Sequence, residues 1–309
     1  MQKEIPFSGF FKEMVREHFV SKKLLFLLVF LSISIFINFY FSFEKNVLYP
    51  LAKNFSGILW YMLFYSFAYF TLLAWVLKDK KDIWKSKRLW LLSLGVVFSL
   101  SVSATYFYIS PIVHSLQDST HVYVLRKLLV NIRNIFFVAL PAILLWKYLK
   151  SKGDAFFWFS FKKIKFRTYL LFLMPIVVLA FIASYSASFL STYPTFKPQL
   201  SSDFLGIAKS CWIWIYETVY VFDFVWVEFL FRGILVLGLF SVLGKDAIIP
   251  MVSIYCFLHF GKPLGEAISS VFGGYILGVL AMYSRSIVGG CFLHMGVALS
   301  MDIFALIKI

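Results

Sequence analysis

The sequence predicts an all-α polytopic membrane protein with about eight or nine transmembrane helices and a cytoplasmic N-terminus. Hydrophobic residues make up 61% of the 309 residues and charged residues only 15%, whereas a soluble domain averages about 45–50% and about 25%. Long apolar segments also recur along the chain, and basic residues cluster between them. This composition excludes a soluble enzyme, a disordered chain and a disulfide-rich secreted protein.

Each predicted helix rests on an apolar segment, because a membrane-spanning helix needs about 20 mostly apolar residues. Nine segments satisfy or approach this requirement: 24–43, 56–77, 89–110, 134–149, 168–189, 206–243, 247–260, 266–283 and 287–305. The sixth is too long for one perpendicular crossing. We therefore expect it to be bent, steeply tilted or divided into two elements.

The net charge of +15 is concentrated in a few connections between these segments. Eighteen of the 30 Lys and Arg residues lie in residues 1–23, 78–88 and 147–167. These alternate with poorly basic connections at 44–55, 111–125 and 190–205. Such alternation is the positive-inside pattern and predicts a cytoplasmic N-terminus. Topology thus accounts for the charge, so we expect the lipid bilayer as a partner and no nucleic acid.

The polar residues within the spans divide the chain into two parts. Residues 1–200 carry almost none and are predicted to form a membrane-helix scaffold. Residues 201–309 are predicted to form a catalytic helix bundle, since they place eight ionisable residues in or beside apolar helices: Glu217, Asp223, Glu228, Arg232, His259, Glu266, His294 and Asp302. Each charge at mid-bilayer costs roughly 2.5–3.5 kcal/mol, so this cluster is the expected functional site.

Helical spacing predicts how one group of these residues is arranged. Glu228 and Arg232 are four residues apart, so they can pair on one helix face. Glu217 lies eleven residues before Glu228, close to three turns, and is expected on the same face. The alternative is a buried ion pair that only fixes helix packing.

His259 and His294 lie on two separate apolar segments beside the Glu228 helix. Two histidines and a carboxylate match a zinc-ligand pattern, so His259, His294 and Glu228 are the predicted ligands of a divalent metal, zinc in particular. Such a metal would lower the pKa of a bound water and polarise a scissile carbonyl. The alternative for each histidine is a hydrogen-bonded residue of the core.

Glu266 follows a helix break at Pro263. It is either a helix N-terminal acid favoured by the helix dipole or a carboxylate that projects toward His259. Ser270, Gly274 and Gly278 recur every four residues in the same segment. We interpret them as a packing surface that lets a neighbouring helix approach closely.

Three motifs in order resemble a known family. Glu228-Phe-Leu-Phe-Arg232, then Tyr255-x-x-x-His259, then His294 in the last segment are similar to the EExxxR, FxxxH and HxxxN/B motifs of the CAAX protease and bacteriocin-processing enzyme (CPBP, or Abi) family. The resemblance covers roughly residues 205–309 and suggests a bacterial type. It departs from the motifs at Val227, where the family carries its first glutamate, at Tyr255, where the family carries Phe, and at Ala298, where the family often carries Asn.

The resemblance implies an integral, multi-pass intramembrane metallo-endopeptidase, expected in a bacterial plasma membrane, that cleaves a membrane-associated peptide or protein. The matched positions Glu228, Arg232, His259 and His294 are the implied catalytic residues. We add Glu266 to the catalytic candidates, with Glu217 and Tyr255 in support. Because Val227 replaces the usual base, Glu266 is a candidate substitute. Two alternatives stay open: a catalytically inactive binding, immunity or maturation factor, and a transporter with an intramembrane carboxylate relay.

Overall fold

A computed structural model describes residues 6–105, 119–149, 158–162 and 164–308. The end of the predicted segment 89–110 and part of the basic segment 147–167 lie outside these residues. The described residues are mainly helical and contain no β-strand. The predicted all-α class is therefore confirmed.

Twelve helices organise the described chain. They are α1 (Phe7–Val20), α2 (Lys23–Phe41), α3 (Gly57–Val76), α4 (Lys87–Ala104), α5 (Ser119–Asn134), α6 (Leu140–Leu149), α7 (Phe166–Ala183), α8 (Ala187–Thr192), α9 (Lys209–Glu228), α10 (Ile248–Phe257), α11 (Leu264–Ser284) and α12 (Val288–Leu306). Two π-helical segments continue longer helices: Ile135–Ala139 joins α5 to α6, and Phe229–Gly238 extends α9. Shorter helical turns are Glu44–Leu48, Tyr49–Leu51, Lys81–Lys85, Pro198–Leu200, Phe240–Leu243 and Gly244–Ala247.

Eight of the helical stretches in the described residues are long and apolar enough to cross a membrane. The longest, Lys209–Phe257, has 49 residues, far more than the about 20 that one crossing needs. It reverses at Gly244, which has a φ of +59°, a conformation that glycine adopts readily. The predicted multi-pass membrane protein with eight or nine helices is confirmed. The segment 206–243, predicted to be too long, forms α9, its π extension and a short helical turn, and the chain reverses after it, at Gly244, into α10.

One helix starts well before its predicted position. We expected a segment at 134–149, but α5 already begins at Ser119 and the candidate span is Thr120–Tyr148. Arg126, Lys127 and Arg133 lie in its first half, and they lower the apolar signal on which the prediction relied. The interrupting π segment therefore lies in the middle of a single crossing rather than near its start.

The hydrophobic core draws on both parts of the chain. Its largest cluster contains Tyr69 and Leu72 of α3 together with Ile234 and Ile248. The division into residues 1–200 and 201–309 is thus a prediction about function.

Within the core, a Cβ on Gly274 would meet the ring of Tyr255 at 3.0 Å. The predicted packing role of the small-residue surface on α11 agrees with this close approach.

At one end of the bundle, α1 lies against the turn at 244–247. Asp246 forms ion pairs with Lys23 at 2.8 Å and with Lys80 at 3.5 Å. His18 contacts Asp246 at 3.6 Å and the hydroxyl of Tyr275 at 2.8 Å. Burial lowers the pKa of His18 to about 4, although the charge of Asp246 acts in the opposite direction.

This burial predicts a loss of stability in mild acid. The folded-state pKa of His18 lies below the unfolded value of about 6.5, so the unfolded chain binds the proton first as pH falls. Stability should decline by on the order of 3 kcal/mol between about pH 6.5 and pH 4 from this residue alone. The melting temperature in detergent should show this decline, and His18→Gln should flatten it while His121→Gln should not. If the melting temperature fell equally with pH in the native protein and in both variants, the assigned role of His18 would be contradicted.

Candidate active site

The candidate site is built on the junction between α9 and the π segment that follows it. Glu228 is the last residue of α9, and Arg232 lies in the segment Phe229–Gly238. The Arg232 guanidinium donates to Glu228 Oε1 at 2.9 Å, and both side chains are 0% exposed. The ion pair predicted from the i,i+4 spacing is therefore present, and it lies in the core.

Such a pair is costly unless its charges are well satisfied, because two charges leave water together. Part of the compensation comes from Tyr255, whose ring lies 4.4 Å from the guanidinium carbon of Arg232, a cation–π distance. Within the described chain, Arg232 Nε and Nη2 and Glu228 Oε2 are nevertheless buried without a hydrogen-bond partner. These atoms therefore keep unused hydrogen-bonding capacity in the core.

His294 completes a three-residue chain with this pair. Its Nδ1 lies 3.1 Å from Glu228 Oε1. A carboxylate paired with arginine can only accept, so Nδ1 carries the hydrogen, and in the neutral imidazole Nε2 then presents a lone pair. The Tyr255 hydroxyl lies 3.4 Å from Nε2, and the Phe224 ring packs 4.3 Å from the imidazole. The imidazole is thus fixed in one tautomer and one orientation.

Gly290 on α12 permits this arrangement. A Cβ at this position would lie 2.2 Å from Glu228 Oε2 and 2.9 Å from Glu228 Cδ. Real Cβ atoms do not approach that closely, so only glycine leaves room for the carboxylate. The sequence signal for this contact is the pair Gly289-Gly290 inside an apolar helix, since an interior glycine marks a close approach.

His259 lies just beyond α10 and is oriented by the backbone. Its Nδ1 donates to the carbonyl of Tyr255 at 2.9 Å, because a carbonyl oxygen can only accept. Its Nε2 is therefore also a lone-pair acceptor. The Tyr255 ring separates the two histidines, with centroids 4.7 Å from His259 and 6.2 Å from His294. The structure thus gathers Glu228, Arg232, Tyr255, His259 and His294 around one position.

Glu266 and Glu217 lie in a second polar group. The hydroxyl of Tyr193 donates to Glu266 Oε2 at 2.8 Å. Asp302 accepts from the backbone N of Thr195 at 2.7 Å and interacts electrostatically with Glu217. Sequence reasoning placed Glu217 on the helix face of Glu228, three turns away, and did not identify Tyr193 or Thr195. Both missed residues lie in the irregular segment 193–208, where helical spacing gives no guidance.

The predicted zinc ligands have only part of the geometry that a catalytic zinc requires. Both histidines donate through Nδ1 to an oxygen, the usual arrangement behind a metal-ligating imidazole. A catalytic zinc takes three protein ligands, but no group of three His, Cys, Asp or Glu within the described ranges could hold a metal ion. Glu228 Oε1 instead binds Arg232 and His294. The residues present do not supply a complete zinc site.

Comparison with known proteins supports the resemblance found in the sequence. Residues 209–300 match the family described as Type II CAAX prenyl endopeptidase Rce1-like. This range contains Glu228, Arg232, His259 and His294, so the recognition of the family is confirmed over this part of the chain. The degenerate first motif and the bacterial type remain predictions. No curated protein and no solved structure matches the chain.

Removing one partner of the ion pair should be strongly destabilising. Arg232→Met leaves the Glu228 carboxylate buried and unpaired, which should cost about 3–5 kcal/mol. The double variant Arg232→Met/Glu228→Gln removes both charges and should recover part of that loss. Thermal unfolding in detergent measures both. A single variant as stable as the native protein would show that the pair is not charged.

Adding one methyl group at Gly290 should disturb the site. Gly290→Ala places a Cβ against the Glu228 carboxylate, and overpacking of this kind costs about 1–3 kcal/mol. The matched control is Gly273→Ala on α11, where a Cβ meets nothing within 4 Å; it should be neutral or stabilising by up to about 1 kcal/mol. Melting temperatures distinguish the two, and an equal effect at both positions would contradict the contact.

Proposed function

We propose that this integral multi-pass membrane protein is an intramembrane endopeptidase that cleaves a membrane-associated peptide or protein. One observation carries the proposal: the buried chain Arg232–Glu228–His294, with bonds of 2.9 and 3.1 Å. A carboxylate that fixes an imidazole tautomer is the arrangement that general bases use. The match of residues 209–300 to a family of endopeptidases supports the same reaction class.

In the proposed reaction, His294 Nε2 takes a proton from the attacking water. The water oxygen then bonds to the carbonyl carbon of the substrate. The same imidazole returns the proton to the amide nitrogen as the C–N bond breaks. Glu228 is a positioning residue, because it holds Nδ1–H and stabilises the imidazolium that forms. Arg232 holds the Glu228 carboxylate in place through its 2.9 Å hydrogen bond.

Charge that develops on the carbonyl oxygen needs donors in a site that excludes water. Arg232 Nε and Nη2 are buried without a hydrogen-bond partner among the described residues. The guanidinium carbon lies 4.4 Å from the centre of the Tyr255 ring, and the Tyr255 hydroxyl lies 3.4 Å from His294 Nε2. We assign these three groups to oxyanion stabilisation, with His259 Nε2 accepting from the substrate or the water.

Metal dependence remains a prediction. The steps above use only protein groups, because His259 and His294 lack a third ligand in the described residues. Metal analysis of the purified protein tests the zinc assignment directly. Stoichiometric zinc that is lost in a His259→Ala variant would support it.

A second candidate function is a catalytically inactive binding, immunity or maturation factor of the same fold. Val227 favours it, because the family motif carries a glutamate at that position and this chain does not. The endopeptidase and the inactive factor differ in whether a side chain of the candidate site transfers a proton. Glu266 is the remaining substitute base, although its carboxylate already accepts from Tyr193.

Variants of the purified protein in liposomes distinguish these candidates. With a panel of membrane-anchored peptides as substrate, His294→Ala and Glu228→Gln should each lower kcat by about 10²–10⁴-fold, the contribution of general base catalysis. Glu266→Gln should retain activity if His294 is the base. His121→Gln, a histidine at the surface, is the matched control and should be unaffected.

Mass spectrometry of the cleaved peptides measures each rate. Unchanged cleavage in His294→Ala and Glu228→Gln would overturn the assigned roles. Native protein that cleaves no peptide but retains specific peptide binding would favour the inactive factor. A large loss confined to Glu266→Gln would transfer the role of the base to Glu266.

A further inference from the structure

One polar residue lies on the packing face of α2. Of the 19 residues of this helix, all within the described ranges, three are buried: Leu27, Leu31 and Asn38. Their spacing of four and seven residues places them on one helix face. Asn38 is 4% exposed. A buried amide is costly unless it is hydrogen-bonded, so its presence on this face depends on its partners.

Both ends of the Asn38 amide are hydrogen-bonded. Nδ2 donates to the carbonyl of Phe260 at 3.1 Å, and Oδ1 accepts from the backbone N of Glu44 at 3.0 Å. A carbonyl oxygen can only accept and a backbone N–H can only donate, so these partners fix the amide in one orientation. Asn38 therefore ties the connection that follows α2 to the turn at 258–263.

Other contacts hold the same turn. A Cβ on Gly261 would lie 3.2 Å from Glu44 Oε2, so the Glu44 carboxylate packs against the turn. The hydroxyl of Tyr61 donates to Glu44 Oε1 at 3.3 Å. Phe260 is buried, and its ring stacks on Phe257 with centroids 4.5 Å apart. The backbone of the turn is thus fixed by a hydrogen bond from α2 and by packing.

His259 belongs to this turn. Its carbonyl accepts from the backbone N of Lys262 at 3.0 Å, and its imidazole Nδ1 donates to the carbonyl of Tyr255 at 2.9 Å. His259 and Phe260 share a peptide bond, so a shift of the backbone at Phe260 moves the imidazole relative to Tyr255. The position of His259 Nε2 therefore depends on the contact that Asn38 makes.

We propose that Asn38 is a positioning residue for the candidate active site, because it holds the turn that places His259. This inference rests on the proposed function, in which His259 Nε2 accepts from the substrate or the water. The helix α2 lies outside the matched residues 209–300. The site thus depends on a contact from the part of the chain that was predicted to be a scaffold.

Two variants remove the contact in different ways. Asn38→Leu removes both hydrogen bonds and keeps a side chain of similar size, whereas Asn38→Ala removes the bonds and most of the side chain. The matched control is Asn46→Ala in the same connection. Asn46 is exposed, and its Nδ2 donates to the carbonyl of Phe41 at 3.4 Å. This control should behave like the native protein.

Peptide cleavage in liposomes gives the first readout. Displacement of a group by about 1 Å can cost about 10²-fold in rate, so Asn38→Leu should lower kcat/KM by about 10–100-fold. In a His259→Ala background the same substitution should have no further effect, because the turn no longer carries an imidazole. Equal losses in both backgrounds would show a general structural role and would overturn the proposal.

Nitrogen-15 NMR of histidine-labelled protein gives a readout that needs no catalysis. The His259 signal, assigned with His259→Ala, should shift in Asn38→Leu and Asn38→Ala, while the His294 signal stays in place. If one variant does not fold, the other decides. An unchanged His259 signal in a folded variant would overturn the proposal. Native protein without peptidase activity would overturn the proposed function, and the NMR result alone would then decide whether Asn38 positions His259.

Discussion

A carboxylate with no access to water is the constraint on which the rest of the site depends. Glu228 is 0% exposed, and an isolated charge in that position would be far too costly to keep. Arg232 and His294 both contact Oε1, and the arginine in turn lies over Tyr255. Each neighbour that relieves the buried charge also becomes fixed in position. The compensation of one carboxylate therefore produces an oriented imidazole, a tyrosine hydroxyl and two free arginine donors in one place.

The backbone around Glu228 is adapted to that requirement. The wide π segment begins at the residue after Glu228 and extends the helix for ten residues, all of them buried; π-helical interruptions are frequently found at functional sites. Gly290 removes a side chain where the carboxylate needs the space. The same segment supplies Arg232, so the residue that compensates the buried carboxylate follows it directly in the chain.

The sequence predicts those features that depend on composition or on spacing within one helix. The multi-pass architecture follows from hydropathy, and the Glu228–Arg232 pair follows from an i,i+4 spacing within one helix. Glu217 and Glu228 lie on one continuous helix, but three turns along α9 carry Glu217 to the second polar group beside Asp302. Gly290 and Thr195 act through contacts between distant segments, which a single sequence does not encode in any local pattern. The start of α5 was missed because Arg126, Lys127 and Arg133 interrupt its apolar signal.

The central claim is that Glu228 holds His294 as the neutral imidazole with its hydrogen on Nδ1. Nitrogen-15 NMR of histidine-labelled protein measures the tautomer directly, with the His294→Ala variant to assign the signal. The account predicts a protonated Nδ1 and an unprotonated Nε2 for His294 in the native protein, and a shift of this signal in Glu228→Gln. A proton on Nε2, or a signal that is identical in Glu228→Gln, would contradict it.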